Sequence, residues 1–288
     1  MRLAVVSGNG APRICERGGE VCGLLICIMS YVSILAESVG DVALIRLNDP
    51  NSLNAISPQM VEELLDALQQ MSRSRRAIVL TGVGRAFCSG ANLGSVPYDP
   101  SDRYDAGVLL ESHYNPLMMM IRDLPVPFVT AVNGPAVGVG STVALAGDLI
   151  VAAQDAYFLQ AFRRLGVIPD AGTAYLLTRA VGRVRAMEMM MLAEKLPAQR
   201  ALDWGLVNRV VAKEELESAS IALATELASG PTRTLAEIRK SCWHALEVDF
   251  AAQLARDRIV QRAMGHTADH REGVAAFFAK RPAVFTGN

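Results

Sequence analysis

Two glycine-rich turns hold the residue types and spacing in this chain that can do chemistry. The first is Gly84-Arg85-Ala86-Phe87-Cys88-Ser89-Gly90-Ala91-Asn92-Leu93, and the second is Asn133-Gly134-Pro135-Ala136-Val137-Gly138-Val139-Gly140-Ser141-Thr142. Each follows an apolar strand-like run, residues 77–80 and 128–132, and leads into a helical or coil segment. Glycine at such a corner admits backbone angles that other residues resist. Two N–H groups converging on one oxygen form an oxyanion hole. It stabilises the negative charge that develops on a carbonyl oxygen when a neighbouring carbon loses a proton. The plain alternative is a pair of tight strand-to-helix corners. Neither turn is a Walker loop, because Gly-Lys-Ser/Thr does not follow.

Other candidate groups divide between chemistry and structure. Asp170, between Pro169 and a small-residue helix start, suits either an N-cap or a working carboxylate. His266 and His270 share a helical spacing without an acidic third ligand, so no metal site is expected. Cys88 has no histidine signal beside it and reads as a small core residue rather than a nucleophile. No Gly-x-Ser-x-Gly element marks a serine hydrolase. The methionines Met187, Met189, Met190 and Met191 suit a core or interface.

The elements that position these groups alternate between strand and helix. Residues 42–47 form a buried strand closed by the turn Asn48-Asp49-Pro50-Asn51. Ser57-Pro58 caps a helix whose inner face carries Met60, Val61, Leu64, Leu65, Leu68 and Met71. Strands are expected at 77–81, 128–132, 149–153 and 207–211. Helices are expected over most of 104–123, from Gly140 to Ala146, and as three short pieces at 171–180, 184–192 and 197–204. From Glu214 the pattern is helical, broken at Gly230-Pro231 and near Gly265-His266-Thr267. Strands alternating with helices, then helices alone, predict an α/β core with a helical C-terminal portion. Loop 95–107 is expected to shape a ligand pocket.

With 28 basic and 29 acidic residues in 288, the chain has no global field that favours nucleic acid or an anionic membrane. Five cysteines (Cys15, Cys22, Cys27, Cys88, Cys242) in no paired pattern point to a reducing cytoplasm. No apolar run reaches the ~18 residues that span a bilayer. Residues 1–28 mix Gly, Arg and Glu without period before an apolar patch at 24–28. They are expected to be a poorly packed extension ahead of a start at Met29; a signal-peptide core and a strand added to a sheet edge are the alternatives.

Together, Leu47-Asn48-Asp49-Pro50, Leu53-Asn54-Ala55, the two glycine turns, Gly147-Asp148, and Ala198, Ala201 and Gly205-Leu206-Val207 resemble the crotonase (enoyl-CoA hydratase/isomerase) superfamily over residues 29–288. The resemblance implies a ββα spiral core at 29–229 and a helical oligomerisation region at 230–288, assembled as a homotrimer or homohexamer. It implies an acyl-CoA thioester as the small-molecule substrate, with coenzyme A part of that substrate and no separate cofactor. By position, the oxyanion-hole amides are those of Ala91 and Val139. Asn51, Ser52, Leu53 and Ala55 lie along the pantetheine and adenine, and Phe277 and Lys280 approach coenzyme A, often from a neighbouring subunit.

The departures from the family pattern narrow the chemistry. The two positions where family hydratases carry glutamates hold Thr142 and Phe162, neither of which is a base at neutral pH. Gly166-Val167-Ile168-Pro169-Asp170-Ala171-Gly172 resembles the segment in which family isomerases carry their acid. That makes Asp170 the expected proton shuttle, its pKa raised by burial among Phe162, Leu165 and Ile168. The stretch 158–172, Tyr114-Asn115-Pro116-Leu117 and the tail from Arg271 resemble the phenylacetate-degradation branch. That branch isomerises 2-(1,2-epoxy-1,2-dihydrophenyl)acetyl-CoA or shifts Δ3 double bonds to Δ2. Asn92 stands where aspartate is usual, and Ala174 where glycine or threonine is. A hydratase-like enzyme with atypical residues, and an acyl-CoA-binding protein without activity, are the alternatives.

Overall fold

The computed structural model describes residues 31–95 and 105–288, together with the short antiparallel pair β1 (Ala4–Val6) and β2 (Pro12–Ile14). The rest of the expectation for residues 1–28 lies outside the described residues, as does most of loop 95–107.

The main sheet has six strands: β3 (Ile34–Val39), β4 (Val42–Leu47), β5 (Ala77–Gly82), β6 (Phe128–Val132), β8 (Leu149–Ala153) and β11 (Arg209–Val211). Their spatial order is β11-β8-β6-β5-β4-β3, parallel throughout except for the β3–β4 hairpin. Every residue of β5 and β6 is buried, as central parallel strands covered on both faces require. A second, smaller sheet contains β7 (Pro135–Val137), β9 (Tyr157–Leu159) and β10 (Leu196–Pro197). Two single-residue bridges, Ile56 with Ala91 and Cys88 with Ala136, extend its pattern.

The chain therefore repeats one motif. A strand in the main sheet is followed by a short stretch in the second layer and then by a helix. β4 leads through Ile56 to α1 (Pro58–Ser74), and β5 leads through Cys88 and Ala91 to α2 (Asn115–Asp123). β6 and β7 precede α3 (Val139–Leu145), and β8 and β9 precede α4 (Thr173–Leu192). This is the expected ββα spiral. Ser57 caps α1 as its sequence predicts, its Oγ accepting the Met60 N–H at 3.2 Å. The helix expected over 104–123 instead opens with a π-helical turn at Leu110–Tyr114. The two pieces expected at 171–192 run as one segment broken at Gly182, whose φ of 78° interrupts the helix.

After α5 (Ala198–Asp203) and β11, helices α6 (Leu216–Ser229), α7 (Thr232–Ala245), α8 (Phe250–Gly265) and α9 (Ala268–Ala279) complete the chain. Asp249 caps α8 and Thr267 caps α9. Two arginines bind this region to the core. Arg239 is buried, grips both Asp148 oxygens at 2.6–2.7 Å, and donates to the carbonyls of Ile121, Arg122 and Leu124, closing the end of α2. Arg76 donates to Gly230 O, Thr232 Oγ1 and Phe285 O. No helix among the described residues is long and apolar enough to cross a membrane.

Candidate active site

The turn after β4 carries four of the expected coenzyme A residues. Leu53 and Asn54 are both left-handed, with φ of 58° and 57°. Asparagine tolerates that conformation because its short side chain bonds locally. Asn54 is wholly buried. It accepts the Asp49 N–H at 2.9 Å and donates to Val83 O and Ala86 O at 3.0 and 2.8 Å. Ser52 donates to Asp49 Oδ2 and receives the Ala55 N–H. Ser89, from the first glycine turn, returns its N–H to Leu53 O and its hydroxyl to Ser52 O at 2.8 Å. The turn at 51–55 is thus stitched directly to the first glycine turn. Asn54 adds to this link, and Asn133, whose side chain donates to Gly84 O and Ala86 O, ties the second glycine turn to the first; neither was expected as a site residue. The available signal was an asparagine beside each turn, a residue suited to left-handed backbone and to bonding main-chain groups.

Bridge geometry sets the direction of the Ala91 amide. Ile56 gives its N–H to Gly90 O at 2.8 Å and takes the Asn92 N–H at 2.9 Å. It is bonded to the residues on either side of Ala91, so the Ala91 N–H faces the opposite way. Among the described residues that N–H has no protein acceptor. The Val139 N–H also has none among the described residues, since it opens α3, whose first closing bond is Thr142 N–H to Gly138 O.

The glycines bring the two turns into contact. Gly90 and Gly138 have φ of 108° and 53°, and a Cβ on Gly138 would stand 3.9 Å from both Gly90 Cα and Phe162 Cζ. A Cβ on Gly140 would meet Cys88 Sγ at 2.4 Å, so α3 rests directly on the first turn. Cys88 is fully buried and its thiol is pushed up to about 12 by that burial, which suits packing and not nucleophilic attack.

Asp170 lies on the loop ahead of α4. It does not cap that helix: the N-cap is Gly172, without a side-chain bond. Its Oδ1 is buried with no hydrogen-bond partner among the described residues, and loss of solvent pushes the carboxyl up to about 6. The apolar neighbours expected to cause this are partly wrong. Phe162 is buried, but Leu165 and Ile168 are 61% and 81% exposed in the single chain, because the 3₁₀ turn at Phe162–Leu165 and the following loop turn them outward. Thr142, the other departure, is sealed inside with its Oγ1 against Thr173 Oγ1.

Phe277 and Lys280, the other expected coenzyme A residues, lie on and just after α9. Phe277 is 77% exposed and meets Phe278 edge-on, while Lys280 ends α9 in a left-handed conformation. No hydrogen bond or ion pair among the described residues joins either of them to that turn.

The spiral, with its paired glycine corners and a half-buried carboxylate, defines a crotonase-type fold. The comparisons agree. The family model described as enoyl-CoA hydratase/isomerase matches residues 37–288, and the chain belongs to that family of enzymes. It is 42% identical to a probable enoyl-CoA hydratase of Rhodobacter capsulatus over 90% of this chain and all of that one. It is 41% identical to the 1,2-epoxyphenylacetyl-CoA isomerase of Escherichia coli over 88% of this chain and 98% of that one. A solved enoyl-CoA hydratase subunit from Geobacillus kaustophilus superposes with a TM-score of 0.84 at 35% identity, covering 90% of this chain and 99% of that one.

Proposed function

We propose that this enzyme is an acyl-CoA isomerase in which Asp170 carries a proton between two carbons of the acyl group. The amides of Ala91 and Val139 hold the enolate oxygen of the thioester. As the carboxylate, Asp170 takes a proton from the carbon next to the thioester, and the electron pair moves onto the carbonyl oxygen. The two free N–H groups stabilise that charge. The carboxylic acid then returns the proton at a more distant carbon and regenerates the base. A group poised near pH 6 suits both halves of this cycle.

One observation carries the reading: the Asp170 carboxyl, with one oxygen buried and unpartnered, stands on a loop tied through Thr173 to the turn that presents the Val139 amide. Thr142 and Phe162 support it from the other side, since neither can activate water. The relatedness to an epoxyphenylacetyl-CoA isomerase favours 2-(1,2-epoxy-1,2-dihydrophenyl)acetyl-CoA as substrate, with Δ3-to-Δ2 enoyl-CoA isomerisation beside it. Asn51, Ser52, Leu53 and Ala55 line the coenzyme A path, and Phe277 and Lys280 reach it from another subunit of a homotrimer or homohexamer. Their exposure, with that of Phe250 and Ile259 on α8, favours such an assembly. A cytoplasmic location fits this chemistry.

The test is proton exchange in deuterated water on phenylacetyl-CoA and a Δ3-enoyl-CoA, followed by mass spectrometry. Deuterium at the carbon beside the thioester is expected. Oxygen taken from labelled water into a hydroxyacyl product, without such exchange, would instead establish hydration.

A further inference from the structure

Behind the second glycine turn lies a pair of hydroxyls that this chemistry does not use. Thr142 and Thr173 are both sealed from solvent, and their Oγ1 atoms lie 2.5 Å apart. Thr142 Oγ1 is 3.3 Å from Gly138 O, one turn back on its own helix. Thr173 Oγ1 is 2.7 Å from Asp170 O, which also accepts the Thr173 N–H at 2.9 Å. Two hydroxyl protons thus face the two backbone carbonyls and each other's oxygen. One proton must lie between the threonines, which leaves one for the two carbonyls. The shorter contact takes it. The chain then runs from the Thr142 hydroxyl to Thr173 Oγ1, and from the Thr173 hydroxyl to Asp170 O.

The loop on which this chain ends is not held by its own preferences. Ala171 and Gly172 follow Asp170 with φ of 50° and 85°, a left-handed pair in which alanine is disfavoured. Among the described residues the Asp170 Oδ1 has no hydrogen-bond partner, so the carboxyl takes its direction from the backbone of 170–173. That backbone is fastened to α3 through Thr142.

We propose that the Thr142–Thr173 hydroxyl pair positions Asp170, locking its strained loop to the first turns of α3 so that the carboxyl and the Val139 amide keep one fixed relation. This rests on the assignment of Asp170 as the proton shuttle. Thr142 is a positioning residue: it holds a position where the family resemblance implies a glutamate, and its hydroxyl is sealed inside against Thr173.

The experiment compares steady-state isomerisation of a Δ3-enoyl-CoA, or proton exchange on phenylacetyl-CoA where that is faster, in the wild type, Thr142→Val, Thr142→Ser and Asp170→Asn. Valine keeps the outline and removes the hydroxyl. Thr142→Val is expected to lower kcat about tenfold with KM within about twofold, because misplacing a reacting group costs turnover rather than binding. Thr142→Ser is expected to recover most of that loss. A kcat for Thr142→Val equal to wild type overturns the proposal, as does a loss confined to KM or one that serine fails to recover. Wild-type activity in Asp170→Asn would remove the assignment on which the proposal rests. Impaired Asp170→Asn beside unimpaired Thr142→Val would remove the positioning role alone. Should Thr142→Val not fold, Thr173→Val and Thr142→Ala carry the same expectation, and unfolding of all three overturns the proposal in favour of a purely architectural pair.

Discussion

Around Ala91 the chain is held from several directions. The 51–55 turn bonds it through Ser89 and Ile56, β7 bonds it through Cys88 and Pro135, and Gly140 presses on it from α3. Around Asp170 there is a left-handed corner, two hydroxyls, and a flank on which Leu165, Val167 and Ile168 lie exposed. One half of the site is woven into both sheets; the other is an appended loop. Electrostatic stabilisation loses its value when dipoles must reorganise, so the amide half belongs on rigid backbone. In the proposed isomerisation the carboxyl serves two carbons in turn, and a lightly bonded side chain on a backbone held through Thr142 and Thr173 suits that task. Stability should therefore concentrate in the amide half and pH sensitivity in the carboxylate half.

The largest expected effect is on turnover. Asp170→Asn should reduce kcat by at least ~100-fold with coenzyme A binding largely intact, measured by isomerisation rate and by calorimetric titration with the thioester. Wild-type turnover would leave the carboxylate half without a function. Gly140→Ala tests the other half. Its methyl would overlap Cys88 Sγ and come within 2.8 Å of Cys88 O, so α3 must shift. We expect about 100-fold less activity and a loss of about 2 to 3 kcal/mol in denaturant unfolding. Asn54→Ala leaves the half-buried Asp49 N–H and Val83 carbonyl without that partner. It should cost about 2 kcal/mol and weaken coenzyme A binding, whereas Asp170→Asn should do neither.

The pH prediction separates the halves further. Burial raises the Asp170 carboxyl from 3.8 to about 6, so the folded state holds this proton more tightly than the unfolded chain does. Below the unfolded value both states are protonated and the group is neutral in its effect. Stability is lost as pH rises from about 4 to about 6, and the deficit persists above that range. Asp170→Asn should therefore unfold later than the wild type at pH 7 to 8, by on the order of 1 kcal/mol once solvent screening of this half-exposed group is allowed for, and no later near pH 3. Wild-type kcat/KM should rise through about pH 6 as the base ionises. The smallest effect expected is that of Ala171→Gly, which relieves the left-handed strain. It should add about 1 kcal/mol of stability while lowering kcat a few-fold, as a loosened loop aims the carboxyl less well.

The legible parts of the sequence were those with a long period. The strands at 42–47, 128–132 and 149–153 stand out because central parallel strands are apolar on both faces, and the inner face of α1 keeps its helical spacing. The second sheet was not legible. Its pieces are two- and three-residue strands and single bridges, too short for any alternation, and β7 lies inside the glycine turn itself. The edge strand β3 was missed because its Ala-Glu-Ser stretch lacks the apolar continuity of its neighbours. In the site, glycine spacing pointed to both turns, and the family resemblance pointed to Asp170. They did not indicate which way an irregular loop faces, so Leu165 and Ile168 were assigned inward. They were equally silent on the Thr142–Thr173 contact, because a hydrogen bond between residues 31 apart leaves no trace in spacing.

The two glycine corners abut with no side chain between them, and Phe162 stands at their edge. Trimming or enlarging that ring would change the packing beside the corners without touching the main-chain groups that form them. On the proposed function, a scaffold of this kind can exchange one acyl preference for another by reshaping that edge, while the paired backbone amides are inherited unchanged.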